Sequence, residues 1–202
     1  MHIAKYLIDL FNSGKTLPGK DAIVSVQNVV ASASLKQRLD LDSILRVLPG
    51  VEYRPEQFPG LVYKLKKPKA ALLMFSTGKM ICTGARSERL AKRAVMKAVE
   101  ELKRNGIVIV AKPEIQVQNI VASGDLFGTI DLEKTTYALK KTIYEPEQFP
   151  GLIYRMDDPR TVMLLFTSGK FVCTGARSES QVHEAVKNLQ ENLEKAKLIS
   201  YE

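Results

Sequence analysis

The chain has 202 residues, of which 45% are hydrophobic and 26% charged, with a net charge of +8, two cysteines and two histidines. That is the composition of a folded globular protein of one or two ordinary domains. It excludes a disulfide scaffold and, with Cys82, Cys173, His2 and His183 widely spaced, a zinc-ligand pattern. No apolar run approaches the ~20 residues of a membrane-spanning helix. The N-terminus also lacks the apolar core of a signal peptide. The expectation is a cytoplasmic, nucleoid-associated protein with reduced thiols.

Residues 1–20 form an N-terminal extension. Ile3, Tyr6, Leu7, Leu10 and Phe11 fall at helical spacing, and Lys15 to Lys20 link this short helix to the body. From there the chain says the same thing twice. Pro55 to Glu88 recurs at Pro146 to Glu179, at an offset of 91 residues. Two copies cannot build a solenoid, and the period exceeds that of solenoid units. The chain divides into a first repeat (21–106), a linker (107–113), a second repeat (114–195) and a C-terminal tail (196–202).

Each repeat opens with a strand, Ile23 to Ser32 in the first. Val24, Val26, Asn28 and Val30 are expected on one face, with Ile23, Ser25, Val29 and Ala31 on the other. If the two first strands meet at a pseudo-twofold, Asn28 and Asn119 lie together at the centre of the sheet. Asp40 to Leu48 reads as a short helix capped by Asp40, matched by Asp131 to Leu139. Four strands follow, near Val51–Arg54, Leu61–Leu65, Ala70–Phe75 and Lys79–Thr83, with links short enough to require antiparallel pairing. Ser87 to Leu102 closes the repeat as an amphipathic helix, matched by Ser178 to Leu193. The expected fold is α+β: about ten curved antiparallel strands in two pseudo-symmetric repeats, with four helices on the convex face.

Strand parity carries the functional argument. Ala71, Leu73 and Phe75 alternate with Leu72 and Met74, and Val162, Leu164 and Phe166 with Met163 and Leu165, so both faces of these strands are apolar. Four helices cover one face. The other would expose far more apolar surface than a soluble monomer normally shows. Either a second sheet or subunit covers it, or it binds a ligand. The inferred face holds Asn28, Val30, Leu73, Phe75, Ile81 and Thr83, and Asn119, Val121, Leu164, Phe166, Val172 and Thr174. It has no carboxylate. Lys64, Lys69, Lys79 and Arg86 border one half, and Arg155, Arg160, Lys170 and Arg177 the other. An apolar floor inside a cationic rim suits a minor groove, with phosphates outside.

Charge is unequal between the halves. Residues 23–104 carry 16 Lys/Arg and 7 Asp/Glu, and residues 114–195 carry 9 and 12. The difference points to a polyanion partner for the first half and offers a bias in orientation. Phe58 and Phe149, each in a Glu-Gln-Phe-Pro-Gly loop, are either staples onto the core or, beside Phe75 and Phe166, wedges for a base step.

These motifs, QNVVAS, PEQFPGLVY and LMFSTGKMICTGAR with their repeats QNIVAS, PEQFPGLIYRM and LLFTSGKFVCTGAR, closely resemble the TATA-box-binding protein family, in particular its archaeal branch, over residues 22–195. That family is itself the reference case for wedge insertion and kinking in the minor groove. The resemblance implies a saddle on A·T-rich promoter DNA. Phe58 with Phe75, and Phe149 with Phe166, would be the wedge pairs, with Pro59 and Pro150 beside them. Asn28 and Asn119 would be the central hydrogen-bonding amides, and the remaining floor residues the base and sugar contacts. The basic edge residues would hold phosphates. It also implies transcription factor B as partner, clasping Glu145, Glu147 and Gln148, and RNA polymerase recruited through it. The chain would be a monomer on DNA and able to dimerise through the saddle when free. The extension and the mildly acidic tail depart from the family pattern.

Catalysis is not expected, nor a cofactor. Gly78-Lys79 and Gly169-Lys170 only faintly resemble a phosphate loop, because Leu73 and Leu164 stand where it needs glycine. The alternative function is a protein-interaction module using the apolar saddle.

Overall fold

The computed structural model describes residues 21–201. The expected N-terminal helix lies outside the described residues. Ten strands form one antiparallel sheet, in the order 51–52, 61–65, 70–74, 79–85, 23–34, 114–125, 170–176, 161–165, 152–156 and 142–143. The first repeat supplies β1 (Ile23–Ser34), β2 (Val51–Glu52), β3 (Leu61–Leu65), β4 (Ala70–Met74) and β5 (Lys79–Ala85). The second supplies β6 (Glu114–Asp125), β8 (Thr142–Ile143), β9 (Leu152–Met156), β10 (Thr161–Leu165) and β11 (Lys170–Ala176). The two first strands, β1 and β6, pair at the centre, so the sheet is continuous across the pseudo-twofold.

Four helices cover one face: α1 (Leu41–Val47), α2 (Glu88–Arg104), α3 (Leu132–Ala138) and α4 (Glu179–Lys195). In α2, residues Ala91, Ala94, Val95, Ala98, Val99 and Leu102 are buried, the stripe expected of an amphipathic helix with one face on the sheet. Ser87 caps it, accepting from Leu90 N at 3.1 Å, and Ser178 does the same for α4 from Gln181 N at 3.2 Å. The starts of the two long helices meet. Glu88 N–H donates to Glu179 Oε1 (2.8 Å), and Glu179 N–H donates to Glu88 Oε1 (2.7 Å). Each carboxylate thus satisfies an orphan donor at the other helix's positive end, and the pair pins the repeats together at the dyad.

The sheet face under the helices is closed. Leu72, Met74, Met80 and Cys82, with Met163, Leu165, Phe171 and Cys173, are buried there. Both thiols are pushed up to about 11 by that burial, which makes them inert core groups.

Two local features differ from the sequence reading, and a third distinguishes the repeats. Pairing of β1 with β6 steps from Val26↔Ala122 to Asn28↔Val121, so Gln27 is an extra residue. This bulge reverses the parity of β1. Val24 and Val26 therefore pack toward the core, not on the face of Asn28 and Val30 as expected. A matching bulge at Gln118 separates Val30↔Asn119 from Ala31↔Val117. Second, β7 (Thr129–Ile130) pairs with β12 (Ile199–Ser200), so the expected tail is tied to the body, with Leu198 and Ile199 buried. Third, the first repeat has no such strand pair: the Gln37 side chain bridges Val108 O (2.7 Å) and Val110 N (3.0 Å) of the linker instead.

Candidate nucleic-acid interface

The opposite face of the sheet has no helix over it among the described residues. Leu73, Phe75, Ile81 and Thr83 are only half-buried, while their neighbours Leu72, Met74, Met80 and Cys82 are buried. Leu164, Phe166, Val172 and Thr174 repeat this against Met163, Leu165, Phe171 and Cys173. Leu73 pairs with Ile81 and Leu164 with Val172, so each pair lies side by side. Asn28, Val30, Asn119 and Val121 complete the floor at the centre, where Asn28 pairs with Val121 and Val30 with Asn119. The structure thus places these twelve residues on one face, while Val24 and Val26, expected beside Asn28 and Val30, turn to the core. Carboxylates border the floor at its edges: Glu52 stands in register with Val62 and Leu73, and Glu114 and Asp125 lie at the ends of β6. Glu114 is paired with Lys36, and Asp125 accepts from Phe127 N at 2.8 Å.

The central amides have a defined orientation. Gly84 N–H donates to Asn28 Oδ1 at 2.7 Å, and Gly175 N–H donates to Asn119 Oδ1 at 2.8 Å. A backbone N–H can only donate, so the oxygen of each amide must face it. Each Nδ2 then donates to a threonine hydroxyl, Thr83 or Thr174, at 3.2 Å. That leaves a second N–H on each nitrogen as a donor for the open face. The glycine is what makes this possible. β5 carries an irregularity between Cys82 and Ala85 in its pairing with β1, and Gly84 adopts φ +88° there. That is a left-handed conformation that β-carbon residues avoid, and it turns the N–H toward the asparagine.

At each end of the floor two rings meet edge to face. Phe58 and Phe75 have centroids 5.8 Å apart at 64°, and Phe149 and Phe166 lie 6.1 Å apart at 63°. Phe58 is 37% and Phe149 43% exposed, so neither is a staple turned into the interior. The loop backbone aims them. Phe58 N and Gln57 N donate to Arg54 O, and Phe149 N and Gln148 N donate to Glu145 O. The following glycine makes room: a β-carbon on Gly60 would sit 2.6 Å from Phe58 Cε1, and one on Gly151 2.6 Å from Phe149 Cε1. Pro59 borders the same concavity as Phe75, Lys79 and Ile81. Pro150 sits exposed next to Phe149.

The basic residues divide into two groups. Lys79 stands beside Phe75 and Ile81, and Lys170 beside Phe166 and Val172. Arg155, Arg160 and Arg177 line one concavity with Lys141 and Asp157, the last two ion-paired. In the first repeat Lys64, Lys69 and Arg86 occupy the corresponding positions, all exposed, and Lys64 is held by Glu52 at 2.8 Å. Glu145, Glu147 and Gln148 are exposed on the loop that presents Phe149.

Sequence reasoning missed Gln27 and Gln118. Each is a bulge residue whose amide crosses the dyad, Gln27 Nε2 to Ser123 Oγ (2.9 Å) and Gln118 Nε2 to Ser32 Oγ (2.7 Å). Their recurrence before both asparagines was the available signal. Ile23 and Phe127 were also missed; they line the concavity beside Phe166.

The model of the family described as "Transcription factor TFIID (or TATA-binding protein, TBP)" matches twice, at residues 23–105 and 114–196. The chain is 53% identical over 175 residues to the TATA-box-binding protein of Pyrodictium occultum, covering 87% of this chain and 88% of that protein. It is 50% identical over 172 residues to that of Sulfurisphaera tokodaii, covering 85% and 87%. Among solved structures, Methanococcus jannaschii TBP superposes with a TM-score of 0.78 at 45% identity, over 85% of this chain and 98% of that one.

Proposed function

The chain belongs to the TATA-binding-protein family, and from that premise we propose that it is a transcription initiation factor that binds and bends A·T-rich promoter DNA through the open face of its sheet. A·T and T·A pairs show only acceptors in the minor groove, whereas G·C adds a guanine amino donor. A floor whose two central asparagines each keep an amide N–H free to donate matches the first two. The apolar side chains around it offer the guanine amino group no acceptor. The observation that most supports this reading is the pair of asparagines held oxygen-inward by Gly84 and Gly175.

The four phenylalanines act as wedges at the two ends, with Pro59 and Pro150 stiffening their approach. Such wedges unstack base steps, the behaviour for which this family is the standard example. TA steps unstack at low cost, so deformability adds to selectivity. The remaining floor residues contact bases and sugars. Lys64, Lys69, Lys79 and Arg86, with Arg155, Arg160, Lys170 and Arg177, contact phosphates. Transcription factor B engages Glu145, Glu147 and Gln148 and brings RNA polymerase. The protein works on DNA as a monomer.

The test is a gel shift with matched duplexes. An A·T-rich duplex containing a TATA-like run should be bound at least about a hundredfold more tightly than a G·C-rich one, near the lower end of what several mismatched base pairs cost together. Equal binding of both would leave only a cationic surface, or a surface made for protein.

A further inference from the structure

The backs of the two repeats carry opposite charge at matching positions. Lys66 and Lys67, in the turn between β3 and β4, correspond at the 91-residue offset to Asp157 and Asp158. Arg93, on the outer side of α2, corresponds to Glu184 on α4. All six are exposed. Among the described residues, Lys66, Lys67 and Arg93 make no ion pair, nor do Asp158 and Glu184; Asp157 is engaged by Lys141. None of them lies in the floor or in its wedge loops; Asp157 borders both the concavity of Arg155, Arg160 and Arg177 and, with Asp158, the helix residues Asn188 and Asn192.

The arrangement has a symmetry consequence. The helix starts meet at Glu88 and Glu179, so the pseudo-twofold passes through the back between the two repeats. A second copy rotated by 180° about an axis perpendicular both to that dyad and to the line joining the repeats would set its acidic repeat on the first copy's basic repeat, and the reverse. Both contacts form together, and the pair closes without leaving a free end to extend. Opposite charges so placed attract across the whole face, and like-to-like registers are repelled.

We propose that this protein self-associates back to back, through the basic back of its first repeat and the acidic back of the second repeat of another copy. The open faces of both copies point outward in this pair. The inference does not rest on what those faces bind.

The experiment is sedimentation of the full chain at low and high salt, with two charge-reversed variants. One is K66D/K67D/R93E, acidic on both backs; the other is D157K/D158K/E184R, basic on both. Wild type should associate at low salt, with a dissociation constant rising at least about tenfold at high salt, where screening shortens to a few ångströms. Each variant alone should be monomeric, and their equimolar mixture should associate as wild type does. That recovery also reports that both variants fold. Wild type that stays monomeric at low salt overturns the proposal. So does a variant that associates alone as wild type does, which would put the contact on the open face. A G·C-rich duplex that binds wild type but not K66D/K67D/R93E, with no association between the two variants, also overturns it and gives the basic back to nucleic acid.

Discussion

At the scale of single residues, the chemistry turns on one amide in each repeat. The sequence placed Asn28 and Asn119 at the centre of the sheet, where a half-buried amide needs partners. The partner that decides its orientation, the N–H of Gly84, lies 56 residues along the chain and was not legible there. Replacing Asn119 by Asp keeps the shape and removes the outward donor. The carboxylate would also face the Gly175 N–H on one side and groove acceptors on the other. Asn119→Asp should therefore lose about 2 kcal/mol of binding to A·T-rich duplex, roughly thirtyfold, by gel-shift titration. Unchanged affinity would remove the central amides from recognition. The proposed wedge residues were legible as aromatics in Pro- and Gly-bounded loops, but the sequence did not carry their exposure or the Gly60 and Gly151 contacts, which count against a staple.

At the scale of elements, the helices and strands followed from pattern because periodicity and caps are local. Strand parity held for β4 and β10 and for the stretches of β5 and β11 that pair with them, where the ladders are regular. It failed in the first half of β1, because one extra residue in a ladder leaves no mark in composition and yet flips every side chain before it. The strand β12 was read as tail, since two residues carry no period. The short helices give a test of their own. Asp40 caps α1, its carboxyl held below the usual carboxylate range first by the Ser43 hydroxyl at 2.6 Å and then by backbone donors. Asp131 caps α3 and is lowered chiefly by Lys134 at 2.8 Å. A depressed folded-state value means that this stabilisation is complete above the ordinary carboxylate range and is lost as pH falls through the depressed one. Asp131→Ala should lower the melting temperature at neutral pH, and the gap to wild type should close in strong acid. A gap that persists there would mean that the ionised cap is not what the substitution removes.

At the scale of the whole molecule, one sheet carries two tasks on two faces. Helices close the convex face into a core, and among the described residues the concave face is left open, as the proposed DNA contact requires. On the proposed reading the rim governs affinity and the floor governs choice. Lys79→Ala should weaken binding to every sequence alike and lower the salt slope by about one. An effect confined to one sequence would assign Lys79 to base recognition. The central claim is that the paired rings at the two ends deform the duplex. The direct measurement is fluorescence energy transfer between dyes at the ends of an A·T-rich duplex, with wild type, Phe58→Ala and Phe149→Ala at saturating protein. The account predicts a bent duplex with wild type and a straighter one with each variant. Equal bending by all three, or a duplex left straight by wild type, would contradict it.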